Sequence, residues 1–177
     1  MENKSYLLKG AMTYGLIMGI YWAAKYIFFI LSLSVPTMSV VYLALTLVVP
    51  VLAYHMTRRY QREIGGRVGF FHAWQFGVLL YFFAALILSV ESYVFYRYIA
   101  PPGFVEGAIG QMAETFKESQ MGPEMVEALS QIKTSPIQMT IQGIFNNVFY
   151  GLILSIPVAA LVLRHNTSVP GTGEEER

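Results

Sequence analysis

In LILSVESYVFY, Leu86 to Tyr96, a single carboxylate, Glu91, stands in a run that is otherwise apolar, aromatic or hydroxylated. Lys25 is its counterpart near the N-terminus, the lone charge in GLIMGIYWAAKYIFFILSL, and QGIFNN gathers three amides, Gln142, Asn146 and Asn147. An acid, a base and amides in apolar surroundings support two kinds of chemistry. They can satisfy one another as a clasp that fixes helix register, or they can form a proton or ion relay or a pocket for a small polar solute. Either chemistry requires the groups to meet at one depth, which the elements carrying them must provide.

With 55% hydrophobic and 13% charged residues and a mean hydropathy of +0.48, the 177-residue chain is too apolar for an ordinary soluble domain. It reads as embedded in a lipid bilayer. A net charge of +1 argues for neither a nucleic acid nor an acidic partner. The absence of Cys removes disulfides and thiolate chemistry, and the absence of Asp makes every carboxylate side chain a Glu.

A bilayer core of about 30 Å needs roughly 20 mostly apolar residues in a helix. Four stretches qualify, at about 7–33, 36–56, 70–99 and 136–163. The first is longer than the apolar region of a secretory signal and ends without a small-residue cleavage site, so it is counted as a span. The expected fold is all-α, a four-helix transmembrane bundle occupying residues 1–165. The short SVP link after the first span forces an antiparallel hairpin.

The link TRRYQREIGGRVG carries Arg58, Arg59, Arg62 and Arg67 against one acid, Glu63. The bias of Lys and Arg towards cytoplasmic loops places it inside, with Lys4, Lys9 and Arg164, so both termini are expected in the cytoplasm. On the outer side, residues 100–135 should form an amphipathic helical loop. Phe104, Ala108, Met112 and Phe116 share one face opposite Glu106, Glu114 and Glu118. QMGP breaks that helix, and EMVEALSQI can form a second one. The loop would cap the bundle, or dock a protein partner. Residues 166–177 read as a disordered cytoplasmic tail.

Glu91 lies eight residues before Ile99 and Lys25 eight before Leu33, each about 12 Å below the outer end of its span. Gln142, Asn146 and Asn147 lie six to eleven residues beyond Pro136, and Tyr42 and Thr46 six and ten beyond Pro36. All four spans thus bring polar atoms to one stratum. Within its own helix Glu91 has only Ile87, Leu88, Val94 and Phe95 at helical spacing. It should therefore pair with Lys25, or carry a proton. Small residues recur every four positions at Gly143, Asn147, Gly151, Ser155 and Ala159, and Gly15, Gly19 and Ala23 give the first span a similar stripe. Such stripes let backbones approach closely, within the bundle or in a homo-oligomer. Pro50 cannot donate to the carbonyl of Thr46, so a kink should expose a polar group just below the layer.

No catalytic set emerges: His55, His72 and His165 all fall at the inner side, whereas the one intramembrane acid is in the outer half. Neither a metal site nor a cofactor is assigned, and an enzyme is not expected. Gly65 and Gly66 lack the strand-to-helix context of a nucleotide loop and read as a turn. Trp22 and Trp74 read as interfacial anchors and bundle packing.

EIGGRVGFFHAWQFG followed by a long span, then YRYIAPPGFVE and a Glu-rich loop, then a last span ending on a basic residue, resembles a family of four-span bacterial inner-membrane proteins. That family, of Bacteroidetes-type bacteria, is known as a domain of unknown function. The resemblance runs from about Lys4 to Arg164 and departs at Ala100 and Pro102, where the family tends to carry an acid. It implies a multi-pass location in the inner membrane and brings no activity or site residues. The leading expectation is a small membrane scaffold or accessory subunit with a membrane-protein partner. The alternative is an oligomeric transporter or channel component that uses Lys25 and Glu91.

Overall fold

The computed structural model describes residues 2–66, 68–107, 109–110, 114 and 135–166. The second loop helix expected at 124–132 and the tail from 167 lie outside the described residues, as does most of 111–118. Four long helices carry the chain: α1 (Glu2–Ser32), α2 (Met38–Glu63), α3 (Phe70–Val94) and α4 (Pro136–Asn166). A π-helical turn, Phe95–Ile99, prolongs α3. Four helical segments are long and apolar enough to cross a membrane, and no strand occurs among the described residues. The chain is an all-α bundle.

The apolar stretch of the second span stops at Met56, yet α2 runs on to Glu63. Its last turns hold because Thr57, Tyr60 and Gln61 are buried, and because Arg59 and Glu63 pair at 3.5 Å across one turn. Left-handed backbone at Gly65 and Gly66, with φ of +100° and +83°, then ends the helix. The Gln61 side chain seals that turn by donating to the carbonyl of Gly66 at 2.8 Å. Four of the basic residues, Lys9, Arg58, Arg59 and Arg62, mark this end of the bundle, called here the basic end.

Around the bundle the order is α1, α3, α4, α2, with α1 and α4 on opposite corners. Glycines set the closest contacts. A Cβ on Gly19 would stand 2.7 Å from that of Ile87, and one on Gly15 would stand 3.2 Å from the carbonyl oxygen of Leu80. These contacts climb both chains together, so α1 and α3 run parallel. Gly77 faces Ser155 and Gly151 faces Tyr81, the latter at 2.6 Å, so α3 and α4 run antiparallel. On α1 the buried stripe is Ala11, Tyr14, Met18 and Trp22, at helical spacing, against Phe76, Leu80 and Tyr81 of α3. Val49 and Ala53 of α2 and Val158 and Val162 of α4 complete the core.

The opposite end is closed by aromatic rings. Phe95 meets Tyr26 and Phe29 edge-on, each with centroids 5.8 Å apart, and Phe104 from the loop lies 5.5 Å above it. Residues 104–107, 109–110 and 114 are helical. Phe104, Val105 and Ile109 are partly buried while Glu106 and Glu114 are exposed. The described part of the loop is amphipathic, and it starts as a lid on the bundle.

Candidate functional site

Lys25 sits six residues after Gly19, or about 120° further round α1 at 3.6 residues per turn. Because Gly19 is pressed on α3, Lys25 turns towards α2. There its ammonium lies 4.9 Å from the ring centre of Tyr42 and 5.8 Å from that of Trp22, a desolvated cation held on aromatic faces. Beside it Tyr21 donates to the carbonyl of Leu45 at 2.7 Å, which ties α1 to α2 next to Thr46. Thr46 donates to the carbonyl of Tyr42 in its own helix at 2.8 Å. Despite Pro50, α2 continues as one helix.

Glu91 projects from α3 at the level of Tyr26, whose hydroxyl interacts with Ser92 and Tyr96 and lies within electrostatic range of the carboxylate. Its Oε2 is buried without a hydrogen-bond partner. The ion pair expected between Lys25 and Glu91 is not formed, since no Lys25 contact within 4 Å joins them. The physical reason is the rotation of α1: the glycine contacts that fix it send the lysine to the aromatic rings of a different neighbour. Three further polar atoms, Trp22 Nε1, Tyr81 Oη and Ser155 Oγ, are buried without partners, and the Trp22 and Tyr81 rings meet edge-on at 5.5 Å.

Span four contributes less than expected. With Gly151 and Ser155 on α3, Gln142 is nine residues away and falls on the opposite face of α4, and Asn146 is five residues away, about 140° round. Both amides are exposed and bond only to each other, Gln142 Nε2 donating to Asn146 Oδ1 at 3.2 Å. Asn147, half-buried, donates to the carbonyl of Gly143 at 2.8 Å. Gly143, expected in the packing stripe, has nothing within 4 Å of a Cβ. Near its midpoint α4 is instead tied to α3 by Trp74, which donates to the carbonyl of Leu152 at 3.1 Å.

Of the expected layer, the structure therefore brings together Lys25 and Tyr42, with Glu91 on the next helix. It leaves Thr46 bonded locally and turns Gln142 and Asn146 outwards. Tyr26, Tyr81 and Tyr96 join the site although sequence reasoning passed over them, and Trp22, read as an anchor and packing residue, joins it too. Their signal was spacing, since Trp22 and Tyr26 flank Lys25 and Ser92 and Tyr96 continue the face of Glu91. At the basic end, His72 accepts or donates a 2.9 Å bond with Tyr60. Among the described residues no group of three His or Glu side chains could hold a metal.

Residues 13–164 match the family described as Protein of unknown function (DUF4199). The chain belongs to this family. The match reaches into all four long helices and includes every residue of the polar site. No curated protein and no solved structure matches the sequence. Membership in DUF4199 supplies no activity, and the chemistry has to come from the side chains.

Proposed function

We propose that this DUF4199 protein binds a small polar or zwitterionic solute between Lys25 and Glu91, as part of a transport or channel assembly, and that it is not an enzyme. The observation that carries this reading is the separation of the two charges. A clasp requires acid and base to satisfy each other. Here the cation rests on aromatic faces, and a carboxylate oxygen of Glu91 and the indole N–H of Trp22, one turn from Lys25, remain buried without partners. Buried polar atoms without partners are rare in folded proteins and mark places where something else supplies the bonds. Cation, carboxylate and aromatic walls suit a molecule with both an anionic and a cationic or hydrogen-bonding end.

The membrane is taken to be the bacterial inner membrane, with the basic end in the cytoplasm; the concentration of Arg and Lys at that end supports this orientation. The scaffold or accessory-subunit reading draws support from a different observation. Gln142 and Asn146 are exposed on a membrane-spanning helix, where amides are unfavourable against lipid and favourable against another helix. The two readings are compatible, because four spans are few for a complete transporter and an assembly would supply the rest.

A double-mutant cycle separates site from clasp. With Lys25→Met, Glu91→Gln and the double variant measured by thermal unfolding in nanodiscs, the site reading expects a coupling energy below about 0.5 kcal/mol, as for residues that share no contact. The same variants should fail to complement a deletion strain. A coupling above about 1 kcal/mol together with full complementation would return the pair to a structural role.

A further inference from the structure

At the basic end, on the side of α1 away from α3, a cleft of ≈ 460 Å³ opens between α1 and the last turns of α2. Its polar wall is Lys9, Thr13 and Tyr6 from α1 and Arg59 and Glu63 from α2. The acid is already engaged. Glu63 accepts a 2.6 Å hydrogen bond from Tyr14 and pairs with Nε of Arg59 at 3.5 Å. The guanidinium is thus engaged by Glu63 and by the Tyr14 hydroxyl, and with five N–H donors it retains some for a further acceptor. Lys9 stands across from it, exposed. Two cations facing a pocket whose carboxylate is satisfied select for an anion.

The far end of the cleft is apolar. It runs to Ile17, and from Tyr6 to Ile17 the helix climbs about 16 Å at 1.5 Å per residue. Beyond Ile17 the exposed face continues through Ile20, Ala24 and Ile27, three or four residues apart. The large side chains of that strip, Ile17, Ile20 and Ile27, are 48%, 59% and 51% exposed. A ligand that fills the cleft therefore needs an anionic head and a hydrocarbon tail lying on α1.

We propose that this cleft binds the phosphodiester head of an anionic glycerophospholipid from the leaflet at the basic end, with Lys9 and Arg59 on the phosphate and an acyl chain along Ile17 and Ile20. Juxtamembrane basic pockets between helices recognise lipid head groups in this way. The site lies at the other end of the bundle from Lys25 and Glu91 and stands or falls independently of the function proposed for them.

The test uses the full chain, purified and delipidated, with native mass spectrometry of retained lipid. Phosphatidylglycerol and phosphatidylcholine of identical acyl chains are the probes, with inorganic phosphate as the soluble competitor. Phosphatidylglycerol should be retained about tenfold over phosphatidylcholine, and Lys9→Gln or Arg59→Gln should each cut that ratio about fivefold, the effect expected of one surface cation. Arg97→Gln, at the other end, should leave it unchanged. Ile17→Trp should lower retention of both lipids, because it fills the tail path without touching the cations. Lys9 is exposed, so its variant is expected to fold, and an unchanged melting temperature verifies that. Equal retention of the two lipids, or a ratio unaffected by Lys9→Gln, overturns the proposal. Displacement of phosphatidylglycerol by millimolar phosphate would overturn the lipid assignment in favour of a free phosphate site.

Discussion

Among the described residues no carboxylate pairs with Lys25, and the rings of Tyr42 and Trp22 are what it has instead. A cation on an aromatic face away from water gains about 2 kcal/mol, most of which a phenyl ring retains. Tyr42→Leu should therefore lower unfolding stability in nanodiscs by about 1–2 kcal/mol, whereas Tyr42→Phe should lower it by less than half of that. In a Lys25→Met background the Tyr42→Leu penalty should shrink to the packing loss alone. Equal penalties in both backgrounds would mean that the ring acts only as a spacer. Glu91 has no such arrangement, and its Oε2 is buried without a hydrogen-bond partner.

Helix packing decides which of these residues can meet. Gly151 and Gly143 belong to one four-residue repeat, yet Gly151 meets the Tyr81 side chain at 2.6 Å and Gly143 meets nothing. Overpacking a tight contact costs about 1–3 kcal/mol, so Gly151→Leu should destabilise the monomer by that amount. Gly143→Ala should instead raise helix stability by about 0.5–1 kcal/mol, through helix propensity and a less flexible unfolded chain. Chemical or thermal unfolding of the two variants checks both signs. Gly151 and Ser155 of the stripe on α4 are occupied by α3 inside the chain, and a homo-oligomer through Gly151 would have to displace it.

At the scale of the whole molecule, the outward face of α4 exposes two amides, Gln142 and Asn146, on a helix long and apolar enough to cross a membrane. Asn146 lies ten residues beyond Pro136, about 15 Å along the helix and well inside a bilayer core. Amides donate and accept alike, so two copies of this face are complementary. Interhelical amide bonds are worth about 1–2 kcal/mol in model membranes. Asn146→Leu should abolish dimers seen by cross-linking in native membranes while leaving the melting temperature of the monomer within error. A dimer that survives Asn146→Leu would place the interface elsewhere.

The all-α class, the four spans and the turn at Gly65 and Gly66 were legible in the sequence. Length, apolarity and glycine are local properties that no neighbour can override in a bilayer. The amphipathic start of the lid was legible for the same reason, since periodicity survives folding. Azimuth was not. Which way Lys25, Gln142 and Asn146 point depends on how each helix turns about its own axis. That rotation is set by which glycine contact wins. Gly15 and Gly19 on α3 turn Lys25 to Tyr42, and Gly151 and Ser155 on α3 turn Gln142 and Asn146 to the outside. The sequence by itself placed acid, base and amides at similar numbers of residues from the ends of their spans. Only the tertiary structure decided that they do not satisfy one another, because close packing of small residues fixes helix rotation before the polar groups can choose their partners.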